Sequence, residues 1–108
     1  MTRVLVLGAG KIGYAISSLL SRSGEWQVTV ADKDEAALRA VAKLGVTVKA
    51  TDVENRDAVK AVASGQWAVL SALPFSFTPT VARVAKEVGA HYLDLTEDVE
   101  STRQVKAL

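Results

Sequence analysis

Short apolar runs alternate along the chain with longer stretches whose apolar residues recur every three or four positions, a pattern that predicts βαβ units around a parallel sheet. Residues 3–7 read as a first strand buried on both faces, because no polar residue alternates with the apolar ones. Over residues 11–22, Ile12, Ile16, Leu19 and Leu20 fall at helical spacing, and Gly24 suits a C-terminal cap. Residues 27–31 predict the second strand; Asp34 then caps a helix carrying Leu38, Val41 and Ala42 that ends near Gly45. A third, shorter strand covers residues 46–50, and a helix with Ala58, Val59 and Val62 runs from about Asn55 to Gly65. Residues 67–72 form the fourth strand, halted by Pro74. Thr78-Pro79 then predicts an N-cap followed by proline at the first helical position. That helix carries Val81, Val84, Ala85 and Val88, with Gly89 after it; residues 91–95 are a fifth strand and 97–108 read as helical.

Five strands joined by helices on short loops predict an α/β fold, a Rossmann-like doubly wound parallel sheet with helices on both faces. Right-handed crossovers favour the strand order 3-2-1-4-5. Residues 1–108 make one domain. The chain stops inside a helical pattern, so the expectation is a fragment of a larger enzyme whose substrate domain lies elsewhere. The fifth strand would then be an exposed edge.

Composition removes several classes of function. With 49% hydrophobic and 23% charged residues the chain is globular rather than disordered. A net charge of +1 without a basic stripe excludes nucleic acid as the expected partner. The absence of cysteine removes disulfides and thiolate metal sites, and a lone histidine, His91, leaves no histidine cluster for a metal. No run approaches the roughly twenty apolar residues that span a bilayer, and the first residues lack the apolar core of a signal peptide, so a cytoplasmic protein with no membrane partner is expected.

The chemistry concentrates in Gly8-x-Gly10-x-x-Gly13, which leaves a buried strand and opens an amphipathic helix, with Asp32 nineteen residues after the last glycine. Such glycines are common in loops; the strand before, the helix after and the acid closing the next strand make this the dinucleotide-binding arrangement. Gly8 permits the tight turn, Gly10 lets a pyrophosphate approach the backbone, and Gly13 lets helix and strand pack closely. The N–H groups of the first helical turn, at Lys11, Ile12 and Gly13, face the anion along the helix dipole. Lys11 adds a cation or simply faces solvent. Asp32 at the end of the second strand can accept the ribose hydroxyl protons and repels a 2′-phosphate, so NAD is favoured over NADP, although Lys33 softens that repulsion. Asp34 is better placed than Asp32 to cap the next helix.

The segment from Ser71 to Phe75 should line the carboxyl edge of the sheet beside the glycine turn, with Phe75 either near the nicotinamide half or packed on the next helix. His91 lies at the far end of its strand and is expected to be structural or solvent-facing. Asp94, Glu97 and Asp98 lie near the ligand edge, where they contact ribose or substrate or cap the last helix, the cap being preferred. No nucleophile–base pair or metal constellation is visible, and the catalytic residues stay unassigned.

The segments Val4 to Gly13, Ala31-Asp32, Asp52-Val53, Leu70-Ser-Ala-Leu-Pro-Phe75 and His91-Tyr-Leu-Asp-Leu-Thr-Glu-Asp98 resemble the N-terminal cofactor domain of the saccharopine dehydrogenase family over essentially the whole chain. The resemblance implies an oxidoreductase acting on a CH–NH bond, with a hydride passing between nicotinamide and an imine or secondary amine of an amino-acid-derived substrate. It implies further that Asp52 and Val53 lie against the adenine and that Ala72, Leu73, Pro74 and Phe75 run along the nicotinamide side. Members that use NADP typically lack the acid seen at Asp32. The full-length parent is expected to assemble as a homo-oligomer and to take a small amine or amino-acid substrate through the missing domain, and this fragment alone is expected to be inactive. A reading from a different class is an NAD-sensing regulatory module like those of potassium transporters, against which the Ala72-to-Phe75 segment argues. Degeneration into a domain used only for assembly fits poorly with the intact glycine motif.

Overall fold

Alternation along the first strand divides the core. β1 (Thr2–Leu7) sends Val4 and Val6 to one face of the sheet and Leu5 and Leu7 to the other, and all four side chains are buried. A strand buried on both faces must lie in the middle of its sheet, and β1 pairs in parallel with β2 (Trp26–Asp32) on one side and β4 (Ala68–Ser71) on the other. β3 (Thr47–Ala50) extends the sheet beyond β2 and β5 (His91–Asp94) extends it beyond β4, giving the expected order β3-β2-β1-β4-β5. The computed structural model describes residues 2–95; the helix expected over residues 97–108, with Glu97 and Asp98, lies outside the described residues.

The two faces are covered by different helices. Residues of α1 (Lys11–Ser23) and α2 (Glu35–Ala42) pack with Val4, Val6, Val28 and Val30. Those of α3 (Arg56–Ala63) and α4 (Thr78–Val88) pack with Leu5, Leu7 and Val69. Caps set the helix starts as the sequence predicts: Asp34 accepts the N–H groups of Ala36 and Ala37, and Asn55 that of Ala58. On the surface Glu87 of α4 pairs with Arg56 and, at 3.5 Å, with Lys60 of α3. Exposed pairs of this kind contribute little beyond orienting the two helices. No helix among the described residues is long and apolar enough to cross a membrane.

The helices depart from expectation in two places. Helical periodicity assigns Ile12 and Leu19 to the buried stripe of α1, yet they are 44% and 62% exposed, while Gly13, Ser17 and Ser18 are buried and Ile16 and Leu20 partly so. Close contact between Gly13 and the Gly8 carbonyl fixes the rotation of the helix about its axis, and Ser17, one turn on, follows onto the sheet. The Ser17 hydroxyl has no hydrogen-bond partner among the described residues. Ser17→Ala is therefore expected to stabilise the domain by about 1 kcal/mol, through loss of a desolvated hydroxyl and a small gain in helix propensity. A higher urea midpoint at unchanged slope checks this; a lower midpoint would show the hydroxyl to be bonded.

The second departure concerns Thr78, expected as the N-cap of α4. A 3₁₀ turn at Phe75–Phe77 runs directly into that helix, so its N-cap is Phe77 in a helical conformation and Thr78 lies inside the first turn. Pro79, expected at the first helical position, is the second residue of the helix, still within the first turn, where a missing N–H costs nothing. The Thr78 hydroxyl is thereby released from capping.

Candidate functional site

Backbone hydrogen bonds draw four strand ends together where the chain order reverses around β1. Gly8 N–H donates to the Ala31 carbonyl at 2.9 Å, Ala72 N–H to the Leu7 carbonyl at 2.8 Å, and Thr51 N–H to the Asp32 carbonyl at 2.9 Å. The carboxyl edge of an open parallel sheet at such a reversal is where ligands bind, because the loops there splay apart and leave a crevice.

The three glycines are distinguished by what a side chain would meet. At Gly8, φ is +101°, a conformation that disfavours L side chains, and a Cβ would lie 3.1 Å from the Ala72 carbonyl oxygen. At Gly13 a Cβ would stand 1.9 Å from the Gly8 oxygen, an impossible overlap. At Gly10, with φ of −72°, a Cβ would meet nothing within 4 Å. Nothing in the fold requires glycine at position 10, so the open volume beside it suits a group that must touch the backbone. Gly10 is the N-cap of α1 and provides no side-chain cap, no acid lies in the first turn, and the first helical bond runs from Tyr14 N–H to the Gly10 carbonyl at 2.8 Å. The amides ahead of that bond are left to an external acceptor, and with the helix dipole they favour an anion. These residues fit the pyrophosphate of a dinucleotide.

Asp32 has a structural task in the fold. Its Oδ2 accepts the Ala9 N–H at 2.7 Å and its Oδ1 accepts the Asp34 N–H at 3.0 Å, so the carboxylate ties the glycine turn to the start of α2. Each oxygen retains a second lone pair, enough for the hydroxyls of an adenosine ribose. Asp34 performs the capping, as its position suggested.

A cleft of about 330 Å³ lies against this turn, lined by Gly8, Gly10, Asp32, Lys33, Val53, Glu54, Ala72, Leu73, Pro74 and Phe77. Its volume falls at the small end of the range for ligand pockets, and it is open on one side. It brings together the expected Gly8, Gly10, Asp32, Val53, Ala72, Leu73 and Pro74. Gly13 is buried beneath the turn, Lys11 and Ile12 are exposed on the first turn of α1, and Asp52 is exposed beside the cleft, its carboxylate accepting the Glu54 N–H at 3.0 Å. The side chain of Phe75 lies outside the described residues.

Sequence reasoning missed Phe77 and Glu54. Phe77 N–H donates to the Pro74 carbonyl at 2.9 Å, and this turn brings the second aromatic of Phe-Ser-Phe to the cleft wall. The signal was present in the proline three residues ahead of it, a frequent opener of such turns.

Beyond the cleft, the released Thr78 hydroxyl donates to Asp94 Oδ2 at 2.7 Å, joining the start of α4 to the end of β5. Asp94 therefore braces the scaffold. Burial of Tyr92 beside these groups, opposed by the hydroxyls of Thr78 and Ser71, keeps its phenol protonated to above the ordinary tyrosine range. His91 opens β5 at the opposite end of the sheet, its ring 4.7 Å from that of exposed Trp67, consistent with the surface role expected of it. No cluster of three or more potential metal-ligating side chains occurs among the described residues.

A sequence profile for the saccharopine dehydrogenase NADP binding domain matches residues 4–108. Among solved structures, the apo saccharopine dehydrogenase (L-Glu forming) from Saccharomyces cerevisiae superposes with a TM-score of 0.82 at 25% identity, covering 97% of this chain and 24% of that one. An NADPH-dependent quinone oxidoreductase from Escherichia coli superposes with a TM-score of 0.65 at 27% identity, covering 81% of this chain and 32% of that one. A Rossmann-fold NAD(P)-binding family protein from Shigella flexneri, at 20% identity and a TM-score of 0.72, shares the fold, covering 99% of this chain and 60% of that one.

Proposed function

The chain belongs to the saccharopine dehydrogenase NADP binding domain family, and from that premise we propose that it is the cofactor-holding domain of an oxidoreductase that passes a hydride between nicotinamide and a C–N bond of an amino-acid-derived substrate. The observation that carries the proposal is the contrast between Gly13, packed against Gly8 with no room for a Cβ, and Gly10, which opens onto free space beside unpaired amides. The fold explains the first glycine; a bound phosphate explains the second.

In this reading the first turn of α1 holds the pyrophosphate, and Asp32 orients the ribose through its two remaining lone pairs. Val53 lies against the adenine, with Asp52 shaping the loop beside it. Ala72, Leu73 and Pro74 form the apolar rail for the nicotinamide half, with Phe75 following them and Phe77 on the cleft wall. Bound there, the dinucleotide supplies the hydride chemistry, and this chain's residues orient it and exclude water from one face. A further domain of the parent protein presents the substrate, a reading supported by the chain's span of 24% of the yeast dehydrogenase. The carboxylate at Asp32 favours NAD, whereas the family description names NADP.

Calorimetric titration of the chain with NAD and NADP tests the assignment. Asp32→Ala is expected to weaken NAD binding at least tenfold and to narrow the preference over NADP, since the ribose acceptor and the repulsive charge leave together. It should also lower stability by about 1–2 kcal/mol, because the Ala9 N–H loses its acceptor. Tighter binding of NADP than NAD by the unaltered chain would sink this assignment of Asp32.

A further inference from the structure

Two charges beside Asp32 give the adenosine end of the cleft a feature that a lone acid does not explain. Lys33 follows Asp32 directly and lines the cleft, and in folds of this kind a basic side chain near the end of this strand can accommodate a 2′-phosphate. Its Nζ lies 4.0 Å from Oε1 of Glu54, and the two side chains, 65% and 67% exposed, both line the cleft. The β3–α3 loop is built to present this glutamate: Asp52 accepts the Glu54 N–H at 3.0 Å through its carboxylate and the Asn55 N–H at 3.0 Å through its carbonyl. Glu54 thus stands across the adenosine end from Lys33 on a turn that fixes its backbone. Asp32 itself cannot be exchanged freely, because the glycine turn hangs on its carboxylate.

We propose that Glu54 is a specificity-determining residue of the cofactor site, which discriminates against a 2′-phosphate by holding Lys33 to itself. The proposal rests on the dinucleotide reading above and deepens it. With Lys33 paired, the three charges sum to one negative charge facing a group that itself carries between one and two. With Glu54 neutralised, Lys33 swings free to offset Asp32 and to pair with the phosphate. The NAD-type acid at position 32 and the NADP label of the family are then compatible: the site holds both determinants, and Glu54 sets the balance between them. Because the pair is exposed, its contribution is bounded at roughly 1 kcal/mol, so the expected change is about fivefold and should be sensitive to salt.

The test is a double-mutant cycle on the full chain, with NAD and NADP titrated calorimetrically at low and high sodium chloride and folding checked by circular dichroism. Glu54→Gln is expected to tighten NADP about fivefold at low salt, to leave NAD within twofold, and to lose its effect at high salt. Lys33→Gln should weaken NADP, and adding Glu54→Gln to Lys33→Gln should then change NADP binding by less than twofold. An undiminished gain from Glu54→Gln in the Lys33→Gln background overturns the proposal, because Glu54 then acts on the phosphate directly and not through Lys33. No gain in either background overturns it as well. If the unaltered chain binds neither NAD nor NADP, the dinucleotide reading fails first and this proposal falls with it, a result distinguishable from binding that ignores Glu54.

Discussion

Gly13→Ala is expected to cost about 3 kcal/mol or more of folding stability, the largest effect of an alanine at any of the chain's glycines. The new Cβ would stand 1.9 Å from the Gly8 carbonyl oxygen and 2.8 Å from its carbon, and both are backbone atoms of the tight turn. No rotamer relieves such an overlap. Either α1 lifts from the sheet, losing the packing of Ile16 and Leu20, or the Gly8 turn shifts away from Ala31 and Ala72. Overpacking that displaces backbone is costly, and here it strikes the central strand. Urea denaturation checks the prediction; a loss below about 1 kcal/mol would show that the helix tolerates a small slide.

The second large effect has the opposite signature. Gly10→Val should leave the domain folded, because nothing lies within 4 Å of a Cβ there and the backbone, with φ of −72° and ψ of −162°, accepts any residue. Valine is a poorer N-cap than glycine, so α1 should lose about 1 kcal/mol, too little to unfold the domain. Dinucleotide binding should fall by on the order of a hundredfold or more, since the branched side chain stands between the pyrophosphate and amides whose charge-assisted bonds contribute about 1.5–3 kcal/mol each. Unfolding midpoint and NAD affinity measured together give the answer: unchanged affinity in a folded variant refutes the placement of the phosphates, and loss of folding refutes the division of labour between Gly10 and Gly13.

Much of this is legible in the sequence. The sheet order follows from apolar runs too short for helices, spaced by helical periodicity, together with the handedness that parallel crossovers obey. Asp34 and Asn55 announced their helices because a short polar side chain before an apolar-periodic run has one good use, to accept the free amides of the first turn. Most of the cleft was legible too, since a glycine turn between strand and helix and an acid closing the next strand leave few other arrangements.

The rest depended on distances that separate segments acquire only on folding. Periodicity placed Ile12 and Leu19 inward because it counts apolar residues, whereas the rotation of α1 is governed by the one position where the backbone must touch the turn. Thr78 looked like a cap because its neighbours along the chain were right, but the 3₁₀ turn before it had already done the work and sent the hydroxyl to Asp94, sixteen residues away. Lys33 and Glu54 are twenty-one residues apart, and no local pattern joins them.

The sequence by itself determined the elements, their order and the presence of a glycine turn between strand and helix, because these follow from spacing, turn chemistry and chain handedness, all local in origin. Tertiary structure alone decided that Asp32 supports the turn through Ala9, that Phe77 reaches the cleft wall and that Glu54 faces Lys33. Each of these is a contact across loops from different strands. Such contacts exist only once a packed sheet holds its strand ends in register, and their strength falls steeply with distances that the order of residues does not encode.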